Sequence, residues 1–216
     1  MGNSAMYPVL RTKRLDEAYA LARDLISHAV TVQEVDALAV TGVDGLHRYE
    51  PLRALAEVKF HTSLEVPESQ AEEVLQRLEG HVNEDQVHRF DWGEYCVWDL
   101  DPAAAAPLSG VDGLIVRVDA DEAPDLLMEQ PFLHAVAETD VAQLYWSVVW
   151  PEVPERDLRP IPKYDGVEIL VHTPSLFSEV WCDTHSVWVH CRSDERAHWA
   201  AERVGKTVLG QARGGR

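Results

Sequence analysis

The chain has 216 residues, 46% hydrophobic and 26% charged, and its 37 acidic residues against 19 lysines and arginines leave a formal net charge of −18. A globular chain of this length buries roughly 70% of its unfolded surface, so its core requires neither disulfides nor metal. The acid excess argues against nucleic acid and anionic membranes as partners, because both are recognised through clustered lysine and arginine.

The cysteines, Cys96, Cys182 and Cys191, are odd in number and lack scaffold spacing, which fits reduced thiols used as small hydrophobes. No apolar run approaches the roughly 20 residues of a membrane helix. Residues 1–14 hold no apolar stretch of the secretory type. A soluble, cytoplasmic protein is expected.

A first helix is predicted over Leu15 to Ala29, where Leu15, Ala18, Tyr19, Ala22, Leu25, Ile26 and Ala29 recur at helical spacing. A second helical piece follows over Val32 to Leu38. Thr41 to Tyr49, with two glycines, reads as a loop. Glu57 to Val66 then alternates. Val58, Phe60, Thr62, Leu64 and Val66 share one face and Lys59, His61, Ser63 and Glu65 the other, the pattern of a half-buried strand. Ser69 and Glu72 have capping-box spacing ahead of a helix striped by Ala71, Val74, Leu75 and Leu78 and closed by Gly80. Gln86 to Phe90 and Glu94 to Leu100 form a predicted hairpin across Asp91, Trp92 and Gly93.

The segment from Asp101 to Gly110 (DPAAAAPLSG) marks a boundary between 1–100 and 111–210, two halves of the chain or one continuous domain. Beyond it, Gly113 to Val118 reads as a strand and Asp121 to Ala137 as a helix interrupted at Pro131. Ala142 to Trp150 is apolar at nearly every position, which suits a central strand covered on both faces. Four prolines argue against regular structure over 151–162. Val167 to His172, Glu179 to Asp183 and Ser186 to Arg192 read as strands, the last two joined by a tight turn at Thr184 and His185. Ser193 caps a closing helix with Asp194 and Glu195 in its first turn and Ala197, Ala200, Ala201, Val204 and Val208 inward. The tail 211–216 reads as frayed.

A strand followed by an acid-capped helix recurs at Leu64 to Leu78, Val116 to Glu129 and Val189 to Val204. The pattern favours an α+β fold: a mainly antiparallel sheet, helices packed on one face, and two ferredoxin-like strand–helix–strand halves.

The densest polar cluster is WCDTHSVWVHCR, Trp181 to Arg192. Zinc would need Cys182, His185, His190 and Cys191 to converge. Strand alternation sends the thiols inward with valines and His190 outward, so no metal and no cofactor is expected. The same alternation sets Trp181 opposite Trp188 and Glu179 opposite His190, giving a candidate binding patch of Trp181, Trp188, His190 and Arg192. His61 and Ser63, two apart on one strand face, resemble half of a phosphate-gripping pair; His172 or His190 would have to supply the second half. Asp99, Asp101, Asp119, Asp121 and Glu122 fall at strand ends, where helix capping accounts for them. Two functions are therefore in view. The first is an acidic interaction module, of inhibitor or immunity type and without catalysis, that binds a basic partner. The second is a small hydrolase or phosphoesterase using His61 and Ser63.

Overall fold

The computed structural model describes residues 4–55, 58–81, 90–92, 95–99, 101–123, 128–136, 140–161, 163, 165–175 and 180–214. The strands are β1 (Ala5–Thr12), β2 (Thr31–Thr41), β3 (Lys59–Pro67), β4 (Phe90–Trp92), β5 (Tyr95–Asp99), β6 (Ile115–Ala123), β7 (Val141–Val149), β8 (Gly166–Val171), β9 (His185–Cys191) and β10 (Arg213–Gly214). The helices are α1 (Leu15–Ser27), α2 (Glu50–Arg53), α3 (Ala71–Leu78), α4 (Glu129–Ala135) and α5 (Asp194–Arg203). All ten strands join one sheet in the order β10-β1-β9-β8-β7-β2-β6-β3-β5-β4, and every pairing is antiparallel. The fold is α+β.

Register assigns the side chains to two faces. Paired residues point the same way, so Val35, Ala37 and Ala39 of β2 share a face with Leu144 and Trp146 of β7 and with Val118 and Ala120 of β6. Val167 and Ile169 of β8 continue it into Val189 and Val187 of β9. These residues belong to one buried core together with the stripe Ala18, Leu21, Ala22, Leu25 and Ile26 of α1 and with Ala197, Ala200 and Ala201 of α5. α1 packs against β8, β9 and β1, and α5 against β9 and β1. At about 25 cal/mol per Å² of apolar surface, this face is the dominant stabilising term.

The opposite face divides in two. Over β7, β8 and β9 it is buried, so these strands are covered on both sides, as the apolar run of 142–150 predicts. Over β2, β6, β3 and β5 the burial alternates, and the outward positions are half-buried or exposed apart from Ser63.

Several local expectations are corrected. Val32 to Leu38 is strand β2, not helix, and residues 5–12, unassigned from the sequence, form β1. Thr41 to Tyr49 is no plain loop, since 43–49 coil as a 3-10 helix leading into α2. The Ser69–Glu72 capping box does not form; α3 begins after Gln70, and that cap has no side-chain hydrogen bond. β6 runs on to Ala123, and α4 starts only at Glu129, with Pro131 in its first turn where a missing N–H costs nothing. No strand runs through 180–183: β9 pairs with β8 and β1. The tail is tied down at 213–214, paired with Ala5 and Met6. Ser193 does cap α5, its hydroxyl accepting the Arg196 N–H at 3.3 Å. Residues 86–89, 93–94, 124–127, 137 and Glu179 lie outside the described residues.

Candidate functional site

The half-open sheet face is built by alternation. Outward from β2 point Glu34, Asp36, Leu38 and Val40; register sets Leu38 beside Asp119 and Val40 beside Arg117 of β6. Across β6, β3 contributes Lys59, His61, Ser63 and Glu65 opposite Asp121, Asp119, Arg117 and Ile115. Asp99 of β5 faces Ser63. Among the described residues, six carboxylates, Glu34, Asp36, Glu65, Asp99, Asp119 and Asp121, thus share the outward positions of β2, β3, β5 and β6 with three basic groups, Lys59, Arg117 and His61. Glu65 is held by Arg117, and Asp99 lies 3.2 Å from the His61 ring. Burial between the strands pushes the Asp119 carboxyl up; His61 opposes that and Asp121 adds to it.

The face ends in a cleft of about 420 Å³ lined by Val40, Ile115 and Val141 from the same side of the sheet, with Trp181 and the Arg48–Asp140 pair. Arg48 grips both Asp140 oxygens, at 2.5 and 2.7 Å, and Tyr49 donates to the same carboxylate at 2.9 Å. Burial first, then Asp140, pushes the Tyr49 hydroxyl well above its ordinary value. The Arg48–Asp140 pair is thus a fixed part of the wall.

Trp181 is held over the cleft by a tight corner. Its ring stacks on His172 at 5.5 Å with 14° between planes, and His172 stands edge-on to His185 at 4.6 Å. His172 adopts a left-handed backbone, φ 55, uncommon for a residue other than glycine. Three bonds hold it there: Cys182 N–H donates to the His172 carbonyl at 2.7 Å, His172 Nδ1 meets the Cys182 carbonyl at 3.1 Å, and His172 N–H donates to His185 Nδ1 at 3.4 Å. Burial, and then the neighbouring His172, holds the His185 imidazole down to about 4, so it is neutral across physiological pH.

The binding patch read from the sequence is divided. Trp188 lies opposite Glu168, not Trp181, and is 1% exposed, with the Arg213 guanidinium 5.2 Å above its ring. Trp181 is 49% exposed. His190 is buried with Nε2 3.0 Å from Glu168, and Arg192 is exposed at the far end of β9. The phosphate-gripping set does not assemble either. His61 and His190 are five strand spacings of about 4.8 Å apart, about 24 Å in all. His172 follows the end of β8, four strand spacings from β3, so it lies about 19 Å from His61. Ser63 is buried and flanks Asp99 and Arg117. Among the described residues no group of three or more His, Cys, Asp and Glu is placed to hold a metal ion, and no helix is long and apolar enough to cross a membrane.

The acids assigned to capping are also relocated. Asp99, Asp119 and Asp121 stand on the sheet face, whereas Asp101 does cap, accepting the Ala103 N–H at 3.0 Å. Glu34 and Asp36 were missed because β2 was read as helix. The signal was present: Val35, Ala37, Ala39 and Thr41 alternate with them. Compared with known protein families, with characterised proteins and with solved structures, the chain finds no match in any of the three.

Proposed function

We propose that this chain is an acidic protein-interaction module that docks a basic protein on its half-open sheet face, as an inhibitor or immunity-type protein would. On this reading the helices back the opposite face, which leaves the acidic one available. The observation that carries the proposal is the concentration of Glu34, Asp36, Glu65, Asp99, Asp119 and Asp121 on one half-open sheet face beside Trp181, half-exposed yet pinned by His172. A field of one sign accelerates encounter with an opposite charge. A rigid aromatic at the rim supplies the anchor that charge alone lacks.

The test is retention of basic protein from lysate of the source cells at low salt, followed by recombination with two variants. One carries Glu34→Lys, Asp36→Lys and Asp121→Lys on the face. The other carries Glu68→Lys, Glu72→Lys and Glu79→Lys at exposed positions around α3. Both change net charge equally, so only location differs. The face variant is expected to weaken binding about 100-fold or more, since like charges set opposite each other cost several kcal/mol, while the control changes it a few-fold. Equal losses in the two variants, or nothing retained, refutes the proposal.

A further inference from the structure

We propose that the corner formed by His172, Trp181, Cys182 and His185 is an acid-operated latch: uptake of one proton by His185 releases residues 180–184, and Trp181 with them, from the wall of the cleft. The latch is built on a neutral imidazole. His185 is 3% exposed, and its Nδ1 accepts the His172 N–H at 3.4 Å, which places the ring proton on Nε2. A second proton would turn that acceptor into a donor and set two N–H groups head to head. It would also place a cation 4.6 Å from the His172 ring, in a site where burial disfavours charge. His172 in turn carries the rest of the corner. The Trp181 ring stacks on its ring, and the Cys182 N–H donates to its carbonyl at 2.7 Å. Displacing His172 therefore undoes both holds at once.

No acid among the described residues relieves a charge on His185; His172 is the one titratable group that acts on it. From β1, Thr12 is its register partner, and the neighbouring Lys13 holds Asp183 at 2.5 Å. Asp183 acts on His172 instead, and the Cys182 thiol turns to the Thr184 hydroxyl at 3.2 Å. β8 ends beside His185 in the uncharged Leu170 and Val171. On α1, Asp16 is held by Arg14, Glu17 accepts from Thr12, and Arg23 holds Glu129. On α5, Glu195 and Glu202 pair with Arg156, Arg196 donates to the Pro151 and Arg159 carbonyls, and Arg203 lies over Trp199. Burial, and then His172, lowers the His185 imidazole from 6.5 to about 4. Once released, the ring regains its ordinary value, so opening binds a proton across that window. The closed corner is at full strength above pH 6.5 and weakens as pH falls toward 4, and its opening is about 20-fold easier at pH 5 than at pH 7. The latch concerns this corner alone and holds whether or not the acidic face docks a partner.

The test follows hydrogen exchange of the Cys182 amide in the intact chain by NMR between pH 7 and 4.5, each rate taken relative to that of an unstructured peptide. The His185 ring resonances are titrated in the same samples. Cys182 is expected to lose about 20-fold in protection from pH 7 to pH 5 while exchanging faster than Val187 and Val189 of β9, the mark of a local opening. In His185→Asn the side-chain oxygen keeps an acceptor for the His172 N–H and takes up no proton, so protection should stay constant within about threefold. A variant that loses protection as steeply as the wild type overturns the proposal. So does Cys182 exchange no faster than that of Val187 and Val189. The ring titration needs no variant, and a His185 that titrates at its ordinary value in the folded chain overturns it equally.

Discussion

Replacing Asp165 with asparagine isolates the energetic consequence of a buried acid. The carboxyl is 2% exposed and accepts the Ile161 N–H at 3.2 Å, while its backbone carbonyl serves Val148 and stays in place after the substitution. Burial raises its titration from 3.8 to about 6. The folded state therefore binds this proton more tightly than the unfolded chain. Stability falls as pH rises through the window from 3.8 to about 6, and the penalty is fully present above it. At 1.36 kcal/mol per pH unit the gap is worth about 3 kcal/mol, and access to an adjoining cavity reduces that to about 2 kcal/mol. Asparagine resembles the protonated acid. Wild type and Asp165→Asn should thus be equally stable near pH 4, and the variant should be about 2 kcal/mol more stable at pH 7. Urea unfolding followed by tryptophan fluorescence between pH 4 and 8 measures the difference directly. The other acids titrate alike in both proteins and cancel. A difference that stays constant within about 0.5 kcal/mol across that range would refute the reasoning.

Three further predictions concern stability and reactivity. A Cβ added at Gly166 would come within 2.6 Å of three atoms of the Tyr145 ring and hydroxyl, and Tyr145 is itself buried edge-on to His190, so Gly166→Ala should cost about 1–3 kcal/mol in denaturant unfolding; an unchanged midpoint would show that the ring yields freely. Arg23→Ala leaves Glu129, fully buried on α4, with the Tyr19 hydroxyl at 2.6 Å and the Trp146 indole at 2.7 Å but no cation, and should cost about 3 kcal/mol. Arg77→Ala, which breaks the exposed 2.8 Å pair with Glu73, should change stability by less than about 0.5 kcal/mol, and similar losses for the two would contradict the role of burial. Maleimide should label one thiol of the native protein, that of half-buried Cys182, because Cys96 and Cys191 are buried and burial pushes the Cys191 thiol up to about 12; mass spectrometry showing Cys191 modified at the same rate would overturn that.

Patterns carried by large side chains were legible in the sequence, and patterns carried by alanine were not. The apolar run from Ala142 to Trp150 suits a doubly covered strand, and the alternation around Phe60, Thr62 and Leu64 a half-buried one. β2 failed because its inner row is Val35, Ala37 and Ala39, and alanine is neutral to strand spacing while favouring helix; the flanking β6 and β7 decide the conformation. The pairing of Trp181 with Trp188 failed for a different reason. Alternation states which way side chains point but not which strand lies alongside, and β9 chose β8, joined to it by residues 172–184. Of the acidic face, Lys59, His61, Ser63 and Glu65 could be placed from one strand alone. The seat of Arg196 could not, since it depends on the proline-rich connection folding back to offer the Pro151 and Arg159 carbonyls.

The order of the strands sets how this sheet is shielded from its own copies. An antiparallel sheet this wide invites polymerisation wherever an outer strand keeps a bare row of donors and acceptors. β1 would be such a strand, yet Pro8 has no N–H to offer, its carbonyl is taken by the Leu209 N–H at 2.8 Å, and Ala5 and Met6 are paired by 213–214. Residues 209–214 therefore act as a selvedge, finishing a border that would otherwise unravel into fibres. Their contribution would be felt less in the free energy of the single molecule than in its behaviour in a crowd.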